Sequence, residues 1–332
     1  MNINKLKVSR KFINRSVNKC LGSALSLYTQ LKSGKRKKCL VYGNCQSPII
    51  SRILSANPGF SRNYEIVKFK PVFEMEKADL ENLKSIIQEI DLFIYQPVKS
   101  GYMGLEELGT DYIKNLLKPQ SLSISFHSLY FNSYNPEIIY ISKPNSIDDD
   151  KVFVGPFGDY HNKNIIDMFI RGSQVKDVIK FLNDPDALDT LSIQENLKSS
   201  IDELERRECE FGIDVKIASH VRHNYQLKRL FWTKNHPSND ILFYCASNIL
   251  ERLGFLDNQN ILMKRLIATE FLDGTYFSIH PAVYRALELA FPNPKFYFIK
   301  ENRISLDDAA SMFFDFYDKN SQIIEAYLEN GK

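Results

Sequence analysis

The chain has 332 residues, 44% of them hydrophobic and 25% charged, a composition that supplies a sizeable globular core and excludes wholesale disorder. No apolar run approaches the roughly 18–20 residues that a membrane-crossing helix needs, and Lys5, Lys7, Arg10, Lys11, Arg15 and Lys19 interrupt every candidate signal-peptide core. The net charge of +3 is uneven: residues 1–64 hold thirteen Lys or Arg and no acid, leaving −10 for the remainder, which suits a basic leader with a local task better than a nucleic-acid binder.

Residues 8–31 have helical spacing, with Phe12, Val17, Leu21, Leu25, Leu27 and Tyr28 among the apolar positions and Lys and Arg opposite. With Lys35-Arg36-Lys37-Lys38 behind it, segment 1–38 reads as a basic amphipathic extension suited to an anionic membrane surface, such as the inner face of the plasma membrane. A solvated helix packed on the domain and a transit peptide are the competing readings. From residue 39 the pattern alternates. Strands are predicted at 39–42, 64–69, 91–95 and 122–126, with helices at 47–56, 78–90 and 105–117 between them. That alternation predicts a doubly wound, mainly parallel α/β sheet over residues 39–145, with ligands bound beyond the carboxyl ends of its strands. Pro144, Gly155, Pro156 and Gly158 mark a boundary, and residues 146–332 read as mostly helical, at 162–171, 174–182, 192–210, 241–253 and 306–328.

The predicted strand ends bring together Asn44-Cys45-Gln46, Gln96 and His127. Cys45 stands between a strand and a helix, where the helix N-terminus favours a thiolate, against the ordinary fate of a free cysteine as a small packing residue. The five cysteines (Cys20, Cys39, Cys45, Cys209 and Cys245) show no CxxC pair, which argues against a disulfide framework or structural zinc and suits a reducing cytoplasm. A nucleophilic thiol needs a base. His236, in a loop between apolar segments, is the first candidate; His127, closing the fourth strand, and His280, followed by Pro281, come next. His161, His220 and His223 have no special context. Gln96, Asn44 and the backbone N–H groups of Cys45 and Gln46 are candidate donors to an oxyanion, while a Gln96 that only caps its strand is the plainer alternative. No HExxH, Walker loop or GxGxxG motif is present, so metal and nicotinamide chemistry lack support, and Asp148-Asp149-Asp150 reads as a solvated run.

At Leu40-Val41-Tyr42-Gly43-Asn44-Cys45-Gln46, Asp91-Leu92-Phe93-Ile94-Tyr95-Gln96 and Ile124-Ser125-Phe126-His127 the sequence resembles the WcbI family of capsular-polysaccharide biosynthesis. Tyr134-Asn135-Pro136-Glu137, Leu204-Glu205-Arg206-Arg207-Glu208 and Leu230 to Ser238 continue the likeness to about residue 255. The resemblance implies a coenzyme A-binding acetyltransferase acting on a sugar. It also looks distantly similar to SGNH hydrolases (flavodoxin-like α/β folds), with Cys45 in place of their serine and Asn235-His236-Pro237 in place of their Asp-x-x-His-Pro block, although Thr233 stands where the orienting Asp would be. In that frame Cys45, His236, Gln96 and Asn44 would be catalytic. Gly43, Gln46 and His127 would line the coenzyme site, with Arg52, Lys99 and Lys143 near its phosphates; no metal would take part. A cysteine thioesterase or esterase, and a non-catalytic module tethering capsule-assembly enzymes at the membrane through residues 1–38, are the alternatives.

Overall fold

The computed structural model describes residues 36–142, 152–255 and 270–329. The predicted helix at 8–31, Lys143 and Asp148-Asp149-Asp150 lie outside the described residues. Strand β1 (Lys37–Tyr42) leads into α1 (Ser47–Ala56) and α2 (Pro58–Asn63), then β2 (Tyr64–Ile66), α3 (Leu80–Ile87), β3 (Leu92–Tyr95), α4 (Thr110–Leu116) and β4 (Leu122–Ser125). The four strands are parallel in the order β2-β1-β3-β4, with Tyr42 opposite Tyr95 and Tyr95 opposite Ser125. The parallel α/β sheet expected from the sequence is therefore present.

Alternation along the strands explains why both faces are covered. Cys39, Val41, Leu92, Ile94 and Ile124 point to one side, where Ile50, Ile53 and Leu54 of α1 pack. Leu40, Tyr42, Phe93 and Tyr95 point to the other, against Leu80, Leu83 and Ile87 of α3 and Ile113 of α4. The chain runs outward from β1 to β2 and then crosses β1 to reach β3. Strand order reverses there, and the carboxyl ends of β1 and β3 flank the crevice in which open parallel sheets bind ligands.

The second half carries β5 (Ile138–Ile139), β6 (His161–Asn162), α5 (Lys163–Ile170), α6 (Val175–Asn183), α7 (Thr190–Glu210), α8 (Ala218–Asn224), β7 (Phe231–Thr233), β8 (His236–Pro237) and α9 (Asn239–Arg252). Then follow β9 (Thr275–Tyr276), α10 (Pro281–Ala286), β10 (Phe296–Ile299), β11 (Asn302–Ser305), α11 (Leu306–Lys319) and α12 (Ser321–Glu329). Helices dominate as expected, but β11-β10-β9 form an antiparallel sheet that the sequence reading missed. The single helix predicted over 306–328 is two, interrupted at Asn320, which leaves helical geometry at φ −129°. The second predicted strand stops at Ile66, although Val67 N still donates to Cys39 O at 2.8 Å.

Two connections bring the second half onto the sheet. Asp214 accepts from both Ser125 N and Ser125 Oγ at 2.9 Å, and Val215 N donates to Ser125 O at 3.0 Å, so residues after α7 pair alongside β4. On the opposite side α9 packs on α1, and its Ile241, Leu242, Cys245 and Ile249 share the core with Ile50 and Leu54.

Candidate active site

The turn after β1 is assembled around two buried glutamines. Gln96 accepts from Asn44 N at 2.9 Å through Oε1 and donates through Nε2 to Gln46 Oε1 at 2.8 Å and His127 O at 3.4 Å. Gln46, fully buried, also accepts from Leu129 N at 3.0 Å and donates to Leu129 O at 2.7 Å and Asn235 O at 3.0 Å. Both glutamine amide groups are therefore spent on the protein itself. Gln96 was expected to reach an oxyanion and Gln46 a coenzyme; their positions are instead those of a scaffold beneath the thiol. Gly43 fits the same scaffold, because a Cβ there would overlap Gln96 Oε1.

Cys45 is half-buried, one residue before the helix N-cap Gln46. The expectation of a thiolate favoured by the helix end meets an opposing effect. Burial pushes the Cys45 thiol up, its own backbone N–H pulls it down, and the nearby Glu74 charge raises it further. Burial wins because the N–H groups around the helix start are occupied. Ser47 N donates to Asn44 O at 3.0 Å, Gln46 N to Asn44 Oδ1 at 2.9 Å, and Pro48 has no N–H to offer. Of the backbone donors expected at an oxyanion, that of Gln46 is thus engaged. Asn44 Nδ2 donates to Ser128 Oγ at 3.2 Å, leaving one amide hydrogen of Asn44 for other use.

His236 reaches this turn on the β7–β8 hairpin, in which it pairs with Thr233 across an irregular register. Ser238 then occupies the N-cap position of α9, with no capping bond from its side chain. The Gln46–Asn235 bond ties the hairpin directly to the Cys45 turn, 189 residues apart in sequence. Burial lowers the His236 pKa, and the Thr275 backbone partly offsets that. The buried Nδ1 has no hydrogen-bond partner, and burial outweighs the Thr275 backbone. Burial thus favours the neutral ring, the form that can act as a base. On its other side, Nε2 lies 3.5 Å from the Tyr160 hydroxyl, a residue that the sequence reading did not single out. Tyr160 precedes β6 in a stretch with no motif, and nothing in its local pattern distinguishes it.

His127 faces elsewhere. It is buried, its Nδ1 is 2.5 Å from Ser128 O, and its electrostatic neighbours are Glu208, Arg207 and the Leu204 backbone of α7. The ring is thus turned toward a helix rather than the cleft. His280 caps α10, accepting from Ala282 N at 3.2 Å, and approaches Phe181 O at 2.9 Å. Lys99 is exposed in the loop after β3. Arg52 lies on α1 with its guanidinium over the Phe271 ring, and it lines a cleft of about 720 Å³ between α1 and β2. Ser47, Ser51, Ser55, Lys68 and the Arg36–Glu65 ion pair line the same cleft, which begins two residues beyond Cys45. Cations and hydroxyls in that arrangement suit phosphate groups. Among the described residues no group of three or more His, Cys, Asp or Glu side chains is placed to hold a metal ion, and no helix is long and apolar enough to cross a membrane.

These features define an α/β protein in which a cysteine turn and a histidine hairpin meet at the carboxyl end of a parallel sheet. A family model described as "Polysaccharide biosynthesis enzyme WcbI" matches residues 38–258, about two thirds of the chain, and the chain belongs to that family. It is similar to a solved structure described as WcbI, a polysaccharide biosynthesis enzyme, in its native form without a disulfide bond between coenzyme A and a cysteine. That likeness covers 89% of this chain and 99% of the other with a TM-score of 0.67, and at 23% identity it is a likeness of fold. None of the curated proteins compared with the chain matches it.

Proposed function

We propose that this protein transfers an acyl group, acetyl in the simplest case, from coenzyme A to a hydroxyl of a capsular or surface polysaccharide precursor. The observation that carries the reading is the bond from Gln46 Nε2 to Asn235 O, which fixes the Cys45 turn against the His236 hairpin. Coenzyme A as donor is motivated by the related structure, whose description turns on a disulfide between coenzyme A and a cysteine. The cleft beside α1, with Arg52 and Lys68, offers charge for its phosphates. The distant SGNH-like character inferred from sequence fits a site built at the exit of the first strand.

In this reading the Cys45 sulfur attacks the acyl carbonyl. A carbon–sulfur bond forms to Cys45 as the bond to the donor sulfur breaks, and the departing thiolate takes the proton that His236 removed from Cys45. His236 next takes the proton of the sugar hydroxyl, whose oxygen attacks the Cys45 thioester and restores the thiol. Direct transfer, with His236 as base and no thioester, would use His236 and leave Cys45 without a covalent role. The basic leader would hold the enzyme at the cytoplasmic side of the membrane, where such precursors are assembled.

Intact-protein mass spectrometry after mixing with acetyl-CoA, and product analysis with and without saccharide, test the reading. Cys45→Ala and His236→Asn are each expected to lower transfer at least about 100-fold. Undiminished transfer in both variants overturns the assignment, and acetate release that ignores the sugar points to a thioesterase instead.

A further inference from the structure

Lys234 stands in the turn between the paired Thr233 and His236, two residues before the candidate base, and is only 7% exposed. Its Nζ lies 3.5 Å from the centre of the Tyr140 ring, yet among the described residues no carboxylate pairs with it and no oxygen accepts from it. Three N–H donors of a cation withdrawn from bulk water are therefore unused. A ring face compensates an ammonium only in part, and a buried charge ordinarily has an anion beside it. Nζ itself is not fully enclosed, so the ammonium keeps an opening by which an anion can arrive. The geometry points to Lys234 as the binding residue for an anionic group on the acceptor saccharide, a phosphate ester or a carboxylate, an inference that rests on the reading of His236 as the base for the sugar hydroxyl.

Both residues of the turn are held in place. Phe131 N donates to Lys234 O at 2.8 Å, and Gln46 Nε2 donates to Asn235 O at 3.0 Å, so the ammonium and the imidazole are carried on one anchored hairpin. From Nζ the rings of Tyr140, Tyr160 and His236 follow one another, with neighbouring centroids 5.6 Å and 6.1 Å apart. Tyr140, 39% exposed, is the outer member of that row. A sugar whose hydroxyl meets His236 and whose charged substituent meets Lys234 lies along it. The donor's phosphates have another place in this reading, the cleft beside α1 with Arg52 and Lys68, which Lys234 does not line. An ammonium meets either kind of anion as a point charge, without the planar fork that arginine imposes. Burial lowers the Lys234 pKa to about 8, so the side chain still carries its charge at neutral pH. The plain alternative is that Lys234 only lays its stem on Tyr140 and steadies the turn.

Chemical acetylation of Lys234 by acetic anhydride, read on its peptide by mass spectrometry in the full chain, tests the site without relying on enzymatic transfer. Glucose 1-phosphate or glucuronate is expected to slow the reaction at Lys234 at least about 5-fold relative to the same concentration of glucose, since a nearby anion favours the unreactive ammonium. Exposed lysines should be unaffected. In calorimetry the wild-type chain is expected to bind one of the two anionic sugars at least about 10-fold more tightly than glucose, a preference lost in Lys234→Met. A lysine that only steadies the turn would show neither effect. If Lys234→Met folds poorly, protection measured on the wild-type chain still decides. No protection by either anionic sugar, or a charge preference that survives in a folded Lys234→Met, overturns the site. Protection by coenzyme A at a lower concentration than by either sugar, and absent with pantetheine, assigns the cation to the donor and overturns the acceptor assignment. A chain that shows the expected preference yet transfers no acyl group sinks the transferase reading alone.

Discussion

Gly43 shows how little room the candidate site leaves. Its carbonyl accepts from Val72 N at 3.0 Å, the next N–H is held by Gln96, and Gln96 packs where a Cβ would go. Gly43→Ala should therefore displace Gln96, releasing Asn44 N and loosening the Gln46 network. One buried hydrogen bond lost and one donor stranded cost about 1–3 kcal/mol. Because the displaced turn carries Cys45, transfer should fall more steeply than stability; thermal melting alongside a transfer assay would reveal a purely global effect as parallel losses. The residues of this turn were legible in the sequence as a group but not in their roles. Asn44, Gln46 and Gln96 are amides at strand ends, and amides serve an oxyanion or a backbone equally well. Only the partners decide, and here they come from Leu129, His127 and Asn235, far along the chain.

At the scale of elements, α8 illustrates a support that local sequence does not show. Its N-cap residue, Ile217, has no side-chain oxygen, yet the helix start is satisfied by the buried Glu208 of α7, which accepts from Ile217 N at 2.6 Å and Ala218 N at 2.8 Å. Glu208→Ala should cost about 2–3 kcal/mol, as two buried N–H groups at a positive helix end lose a carboxylate. Urea denaturation measures it, and a variant as stable as wild type would refute the capping role. The long helices were readable from apolar spacing over many residues, and the parallel strands as short apolar runs alternating with those helices. Helix α1 begins at Ser47 and ends at Ala56, where its apolar spacing placed it. The β9–β11 sheet was not readable, since its short strands stand outside that alternation and β9 pairs with β10 across nineteen intervening residues. Tyr160 was hidden for a similar reason, since its contacts with Thr233, Asn235 and His236 come from a hairpin more than seventy residues later.

At the scale of the whole molecule, the described residues form three buried clusters, and the one formed with α5, α6 and α11 closes over a carboxyl with little to stabilise its charge. Glu137 is fully desolvated; Oε1 has only a 3.4 Å contact from Asn135 Nδ2, and Oε2 has no partner. It borders a cavity of about 10 Å³ shared with Ser278, His280 and Tyr297, room for about one water. Burial pushes its pKa up to about 7, against weak lowering by Asn135 and Lys163. A raised carboxyl pKa means that between about 4.5 and 7 the folded chain holds a proton the unfolded chain has released, so this group's stability contribution is lost as pH rises through that window. His127, His161, His236 and His280 act oppositely, since burial lowers each of them and protonation below about 6.5 favours the unfolded chain. Glu137→Gln isolates the first effect. It should leave stability nearly unchanged at pH 4.5, where both side chains are neutral, and raise it at pH 8 by up to about 3 kcal/mol, the value of a shift from 4.5 to about 7. Denaturation curves of the two proteins at both pH values would refute this if the difference were the same at each, because a change in packing alone does not follow the proton.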